Sequence, residues 1–366
     1  INIQYNPILN DNIIDESIKL NDIGEKLIVM GNIILGEKYL KRASLLGNEM
    51  SQFNLGHLYS ITNNIKKSIL YNYFSASSNN LESIITLGYK HLYGYGVPKS
   101  CQIASKYYKT ISETLFLNNK FEYNILSNNI ELIYLDDNKK RDMSTDESDD
   151  VIRYYHSRAN NGDYDAQITL GQLYYYGIRG FKQDFNMAYK LFYDAAFKGN
   201  NGDAYSLLGN MYLDGDIPNT NNNKDYNKAY KMFEKAKKLG NYAGYTGLGF
   251  MYLEGLGNIK KNLTLAFNLF KYSAHHGDIT SQYYLGLMYF NGLGVKRNFD
   301  TSFQYFITAA TKGHPKSLYY SGLMHLNGVS TAKSCKMAVN LFKLSAEKTN
   351  IAYNIKKSRK DYLNGN

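Results

Sequence analysis

Residues 282–313 read QYYLGLMYFNGLGVKRNFDTSFQYFITAATKG, and the reading of this stretch decides the fold. Tyr283, Leu285, Leu287, Met288 and Phe290 make a short apolar helix that stops at Gly292 and Gly294. Phe303, Phe306, Ile307, Ala309 and Ala310 then fall at helical spacing on a second helix, which ends at Gly313. One helix–turn–helix unit is complete here, and the pattern returns along most of the chain. Anchored on the glycine of each leading Leu-Gly or Ser-Gly pair, it recurs at Gly56, Gly88, Gly171, Gly209, Gly249, Gly286 and Gly322. The spacings are 32, 83, 38, 40, 37 and 36 residues. Apart from the 83, they match helical hairpin repeats, whose periods run from about 34 to 47 residues.

Working outward, the long gap reads as a repeat with an insertion over residues 116–150. It is rich in Asn and Asp and closes on the acidic run Thr145-Asp146-Glu147-Ser148-Asp149-Asp150, as a surface excursion would. The expected plan is an irregular segment at 1–22, a first repeat block at 23–115, the insertion, a main block at 151–350, and a further repeat or cap from 351 to 366. In the first block, Glu37 to Gly47 matches a second helix whose partner is Ile23 to Ile34. The chain starts at Ile1 without a signal-like segment, as a mature chain or an excised fragment would, and Ile351 to Gly365 resembles a lone first helix, read as truncation before further repeats rather than a cap.

Each repeat position has a physical task. An anchor glycine inside a helix costs about 1 kcal/mol against alanine, so its recurrence predicts a neighbour too close for a side chain. The aromatic three residues on (Tyr59, Tyr174, Tyr212, Tyr252, Tyr289) is expected to pack toward the next hairpin. Glycines such as Gly177, Gly215, Gly255 and Gly292 let the backbone leave the helix at positive φ. The second helix then starts from a cap at Ser100, Asp184, Asp225, Asn262, Asn298 or Ser334. Four residues later stands a small residue, Ala104, Ala188, Ala229, Ala266, Ser302 or Ala338, read as a close-packing position.

Composition narrows the function. The 366 residues include 36 Tyr and 17 Phe but no Trp and only 4 Pro, and 44% are hydrophobic, so an ordered chain is expected. No stretch approaches 18 apolar residues, so no membrane span is expected. The net charge of +10 is spread over pairs such as Lys66-Lys67, Lys237-Lys238 and Lys260-Lys261, with a cluster only at Lys356-Lys357-Ser358-Arg359-Lys360. A solvated face, with no nucleic-acid partner, is the reading. His57, His91, His156, His275, His276, His314 and His325 show no ligand spacing, and no nucleophile elbow or phosphate loop occurs. No catalytic, metal or cofactor residue is assigned, and the chain is not expected to be an enzyme. Cys101 and Cys335 hold equivalent positions in units several repeats apart; a bond needs their Cα atoms within about 7 Å, and two separate, partly buried thiols are favoured. Asn262-Leu263-Thr264 is the sole glycosylation sequon, so Asn262 is both a cap and a glycosylation candidate.

The pattern A-x-x-x-L-G-x-x-Y-x-x-G-x-G-V, followed by A-x-x-x-F-x-x-A-A-x-x-G, resembles the Sel-1-like repeat, a relative of the tetratricopeptide repeat. The resemblance implies an all-α fold, a right-handed α/α solenoid (superhelix) of about seven hairpins with one helix layer on a concave face. Three segments are more specific: Gly96 to Ala104 (GVPKSCQIA) running on to Tyr107-Tyr108-Lys109, Tyr154-Tyr155 through Leu170-Gly171-Gln172-Leu173, and Ser334-Cys335-Lys336-Met337-Ala338-Val339. They are similar to the Sel-1 homologue family, the luminal adaptor subunit of Hrd-type ubiquitin ligases. That resemblance implies a non-enzymatic scaffold in the endoplasmic-reticulum lumen, recruiting misfolded glycoproteins for degradation. The implied partners are a membrane ubiquitin ligase subunit, a lectin, the glycoprotein clients, and a second copy in a homodimer. The alternative is a cytoplasmic Sel-1-like scaffold or activator of another enzyme, such as a cell-wall polymer synthase. Asn219 to Asn223 lengthens one hairpin, and the last full unit departs from the pattern with Ser321-Gly322 and His325.

Overall fold

A computed structural model of the chain describes residues 11–118, 145–177, 181–218 and 223–347, and these form helices without a strand. In order they are α1 (Asp11–Val29), α2 (Ile33–Leu45), α3 (Glu49–Ile61), α4 (Ile65–Ser77), α5 (Leu81–Tyr93) and α6 (Cys101–Asn118). After the insertion come α7 (Thr145–Asn160), α8 (Tyr164–Tyr176), α9 (Phe185–Phe197), α10 (Gly202–Asp214), α11 (Tyr226–Lys238) and α12 (Tyr242–Glu254). Then follow α13 (Leu263–His275), α14 (Ile279–Asn291), α15 (Phe299–Thr311), α16 (Pro315–Asn327) and α17 (Cys335–Glu347). Two compact units result, one from Ile1–Asn118 with Gly322–Asn366, the other from Asn119–Ser321.

The first unit holds the hairpins α1–α2, α3–α4 and α5–α6, with α17 packed along α6. The second holds α7 against α8 and the hairpins α8–α9, α10–α11, α12–α13 and α14–α15. In both, a second helix also packs on the next first helix, as α4 does on α5 and α11 on α12. The architecture is an α solenoid of helical hairpins.

What sets the hairpin crossing is a ring laid on a glycine. A Cβ on Gly171, Gly209, Gly249 or Gly286 would lie 2.6–2.7 Å from Phe192, Phe233, Phe270 or Phe306 of the same hairpin's second helix. In the first unit Gly322 faces Phe342 and Gly88 faces Tyr108 in the same way. Each ring stands four residues after the small residue, and Ala104, Ala188, Ala229, Ala266, Ser302 and Ala338 are all at 0% exposure. Spacing of i and i+4 puts both on one helix face. The ring's other side is closed by the next hairpin. Gly247 meets Phe233, and Tyr284 stacks on Phe270 with centroids 4.8 Å apart.

The turns are built as expected. Gly94, Gly177, Gly215, Gly255 and Gly292 cap their helices in the left-handed region. Asp184, Asp225, Asn262 and Asn298 cap the second helices with side-chain oxygens. The amide of each cap then donates back to the aromatic of the first helix: Asp184 to Tyr174, Asp225 to Tyr212 and Asn262 to Tyr252, all at 2.9 Å. His91 and His325 stand in for that aromatic and accept from Ser100 and Ser334.

Three expectations are corrected. The aromatics pack toward the preceding hairpin, since Tyr212 shares a hydrogen bond with Tyr189 at 3.0 Å and the Tyr59 hydroxyl donates to Glu37 of α2. A helix already begins at Asp11, inside the segment read as irregular, because its inward face is polar. Ser17 and Asn21 are buried there against Asn48, Ser51 and Asn54 of α3. Residues 145–150, the acidic run, form the first turns of α7. The middle of the insertion (119–144), most of the 219–223 insert and residues 351–366 with their lysine cluster lie outside the described residues.

Candidate interaction surface

Cys101 opens α6 and Cys335 opens α17, and the structure joins their sulfurs, with Cα atoms 6.1 Å apart. Here the expectation of separate thiols is corrected. The physical reason is that two second helices lie side by side, so their equivalent first turns meet. The pairing is buried along its length: Phe342, Val339 and Ile111 are all at 0% exposure, and the Ser112 hydroxyl donates to the Phe342 carbonyl at 3.3 Å. Repeat counting along the sequence could not show that α17 returns to α6.

Beside this clasp, Tyr89, Tyr93 and Tyr95 ring the end of α5. The Tyr89 and Tyr95 rings stack 5.6 Å apart at 9°, and Tyr89 meets Tyr93 at 4.5 Å. Lys343 of α17 places its Nζ 5.9 Å from the centre of the Tyr93 ring. Lys90 is buried between these tyrosines in sequence, and burial holds its ammonium below the usual lysine range.

In the second unit another aromatic group reaches solvent. Tyr242 stacks on His276 at 4.5 Å, and Tyr272 touches both Tyr245 and His276. Tyr59, Tyr189, Tyr212 and Tyr284 are spent on the inter-hairpin contacts described above, and burial followed by Glu37 pushes the Tyr59 phenol up to about 12. His314 bonds Ser317, while His91 bonds Tyr73 at 2.8 Å and stacks on Tyr107. Among the described residues no group of three His, Cys, Asp or Glu is placed to hold a metal ion, and no helix is long and apolar enough to cross a membrane.

Asn262 is exposed, and its Oδ1 accepts from the Leu265 amide at 2.9 Å. The sequence signal was sufficient for Asn262 as a helix cap and for the close-packed glycine and alanine positions. It gave no sign of the tyrosine cluster on α5, because single aromatics also stand at two of these positions in other hairpins, Phe250 and Tyr176, and only the fold brings Tyr89, Tyr93 and Tyr95 together.

The Sel1 repeat model matches residues 24–48, 82–113, 165–200, 202–241, 243–278, 279–314 and 315–350. The α3–α4 hairpin falls between the first two matches; there Ser68 and Asn72 take the places of the alanine and the ring. Among curated relatives, the ERAD-associated E3 ubiquitin-protein ligase component HRD3B of Arabidopsis thaliana is 24% identical over 264 residues, covering 69% of this chain and 34% of that protein. Protein sel-1 homolog 2 of Homo sapiens is 32% identical over 131 residues, 35% of this chain and 19% of that one. The chain thus spans about a third of the length of HRD3B and about a fifth of that of protein sel-1 homolog 2. A solved Sel1 repeat protein from Oxalobacter formigenes is 22% identical, with a TM-score of 0.41 over 80% of this chain and 98% of that one. Hairpin after hairpin, the glycine beneath a ring and the left-handed turn beyond it coincide with the matched segments, which take in well over half the residues, and the chain belongs to the Sel1-repeat family.

Proposed function

We propose that this Sel1-repeat scaffold is the adaptor part of an endoplasmic-reticulum membrane ubiquitin ligase complex and recruits misfolded glycoproteins for degradation. The observation that carries the proposal is the extent of the likeness to HRD3B, which runs through 69% of the chain rather than through one or two repeats. The Cys101–Cys335 bond supports a luminal setting, because structural disulfides persist in oxidising compartments and are rare in the cytosol. It weighs against the cytoplasmic reading, in which the chain would activate another enzyme. On this proposal the partners are a membrane subunit of the ligase, a lectin, glycoprotein clients and a second copy of the chain.

The test is affinity capture of the tagged protein from detergent extracts of its own cells, combined with protease protection of intact microsomes. Recovery of a membrane ubiquitin ligase subunit, with the repeats protected until detergent is added, is the expected result. A protein that fractionates with the cytosol and brings down no ligase subunit overturns the proposal.

A further inference from the structure

The end of α5 is exposed at two positions that the hairpins of the second unit cover. One residue after the anchor glycine, the second unit has Gln172, Asn210, Phe250 and Leu287; seven residues after it stand Asp216, Leu256 and Leu293. All of these are buried or half-buried. The same positions after Gly88 are Tyr89 and Tyr95, which with Tyr93 are 43%, 56% and 49% exposed. Here α6 is flanked by α17, a second helix, rather than by the first helix of a following hairpin.

The charge around these rings is of one sign. Residues 83–112 and 322–346, which the disulfide joins, contain Lys90, Lys99, Lys106, Lys333, Lys336 and Lys343 with no Asp or Glu, while Glu82, Glu113 (3.5 Å from Lys109) and Glu347 lie just beyond, at the far ends of α5, α6 and α17. Lys99 and Lys106 on one side and Lys333 and Lys336 on the other are exposed. Lys99 packs its stem on the turn at Gly94, directly before Tyr95. Ile103 and Met337, 40% and 47% exposed, add apolar area one turn into α6 and α17. Read along the chain, these lysines look scattered; the fold gathers them.

We propose that Tyr89, Tyr93 and Tyr95, with Lys99 and Lys343, form a docking site for an acidic peptide segment of a partner protein. Tyrosines supply large contact area at small entropic loss, and rings already stacked on one another lose less still on binding. The lysines attract and orient a carboxylate-rich segment through a field that salt screens. Nucleic acid is the poorer fit, because the stack of Tyr89 on Tyr95 already uses one face of each ring and leaves less area for bases to stack on. The site goes beyond the adaptor reading and does not rest on it.

The test uses the full chain with its disulfide intact and a short fluorescein-labelled peptide of alternating Glu and Tyr, read by anisotropy. Saturable binding that weakens with salt is expected, with a loss of about tenfold or more in Y93S/Y95S. Tyr95→Ser alone, at the most exposed ring, serves as the variant least able to disturb folding, and is expected to lose affinity with an unchanged circular dichroism spectrum. Absence of saturable binding, unchanged affinity in Y93S/Y95S, or equal binding of a Lys-Tyr peptide overturns the proposal. So does tighter binding of oligothymidylate or phosphatidylserine vesicles with the same sensitivity to the variants, which would reassign the face to nucleic acid or membrane.

Discussion

At the scale of single residues, two anchor glycines with the same place in the repeat are expected to respond unequally to alanine. A Cβ on Gly249 would meet three ring carbons of Phe270 at 2.7–3.0 Å. That ring is fully buried and is backed by Tyr284, so it has no room to retreat. Alanine gains about 1 kcal/mol of helix propensity, but overpacking a core costs about 1–3 kcal/mol. The clash wins, and Gly249→Ala should lose about 1–2 kcal/mol in urea unfolding, a loss reduced when Phe270→Leu is added. At Gly56 the nearest atoms belong to the amide of Asn72, the far end of a side chain that can turn. Gly56→Ala should therefore stay within about 0.5 kcal/mol of the parent. Equal losses at the two sites would refute the ring-on-glycine account. Recurrence in the sequence marks both the glycine and the phenylalanine four residues after each alanine. That the two meet is a property of how helices cross, which a linear pattern does not carry.

At the scale of the helix, termini were legible where caps and glycines repeat, and illegible where the buried face is polar. The start of α13 is the best-defined case. Asn262 accepts from the Leu265 amide, and its own amide donates to the Tyr252 carbonyl, so one residue closes both the helix and the hairpin. Asn262→Ala should cost about 1 kcal/mol, whereas Asn262→Asp, which keeps the acceptor, should cost little. The same residue carries the sequon, and a glycan on Nδ2 leaves Oδ1 free for the cap. Thr264→Ala separates the two roles. In protein made through a secretory pathway, it should abolish a glycan mass on the peptide containing Asn262 while leaving thermal stability unchanged. A missing glycan in the parent would show that folding at this cap outruns glycosylation. By contrast, α1 was missed over its first half because Ser17 and Asn21 point inward with hydrogen-bond partners, and apolar periodicity is blind to such a face.

At the scale of the whole chain, the first unit is assembled from two stretches that have all of the second unit between them in sequence. No local signal announces such a closure, because the contact of α17 with α6 replaces the step to a next repeat that periodicity would extrapolate. The bond between Cys101 and Cys335 ties those stretches together across 234 residues of chain. Closing a long loop restricts the unfolded chain and contributes typically about 2–4 kcal/mol, with only a slow increase with loop length. The bond lies wholly within the first unit, so its removal should act there alone. C101S/C335S, or the parent kept in a thiol reductant, should show faster amide exchange in α17 and α6 and a lower melting transition for the first unit. Amides of α8 to α15 should keep their protection. Digestion without reductant should also yield one peptide pair containing both cysteines. Free thiols in protein isolated from an oxidising compartment, or exchange in α17 that reduction leaves unchanged, would mean that packing of Phe342, Val339 and Ile111 closes the unit by itself.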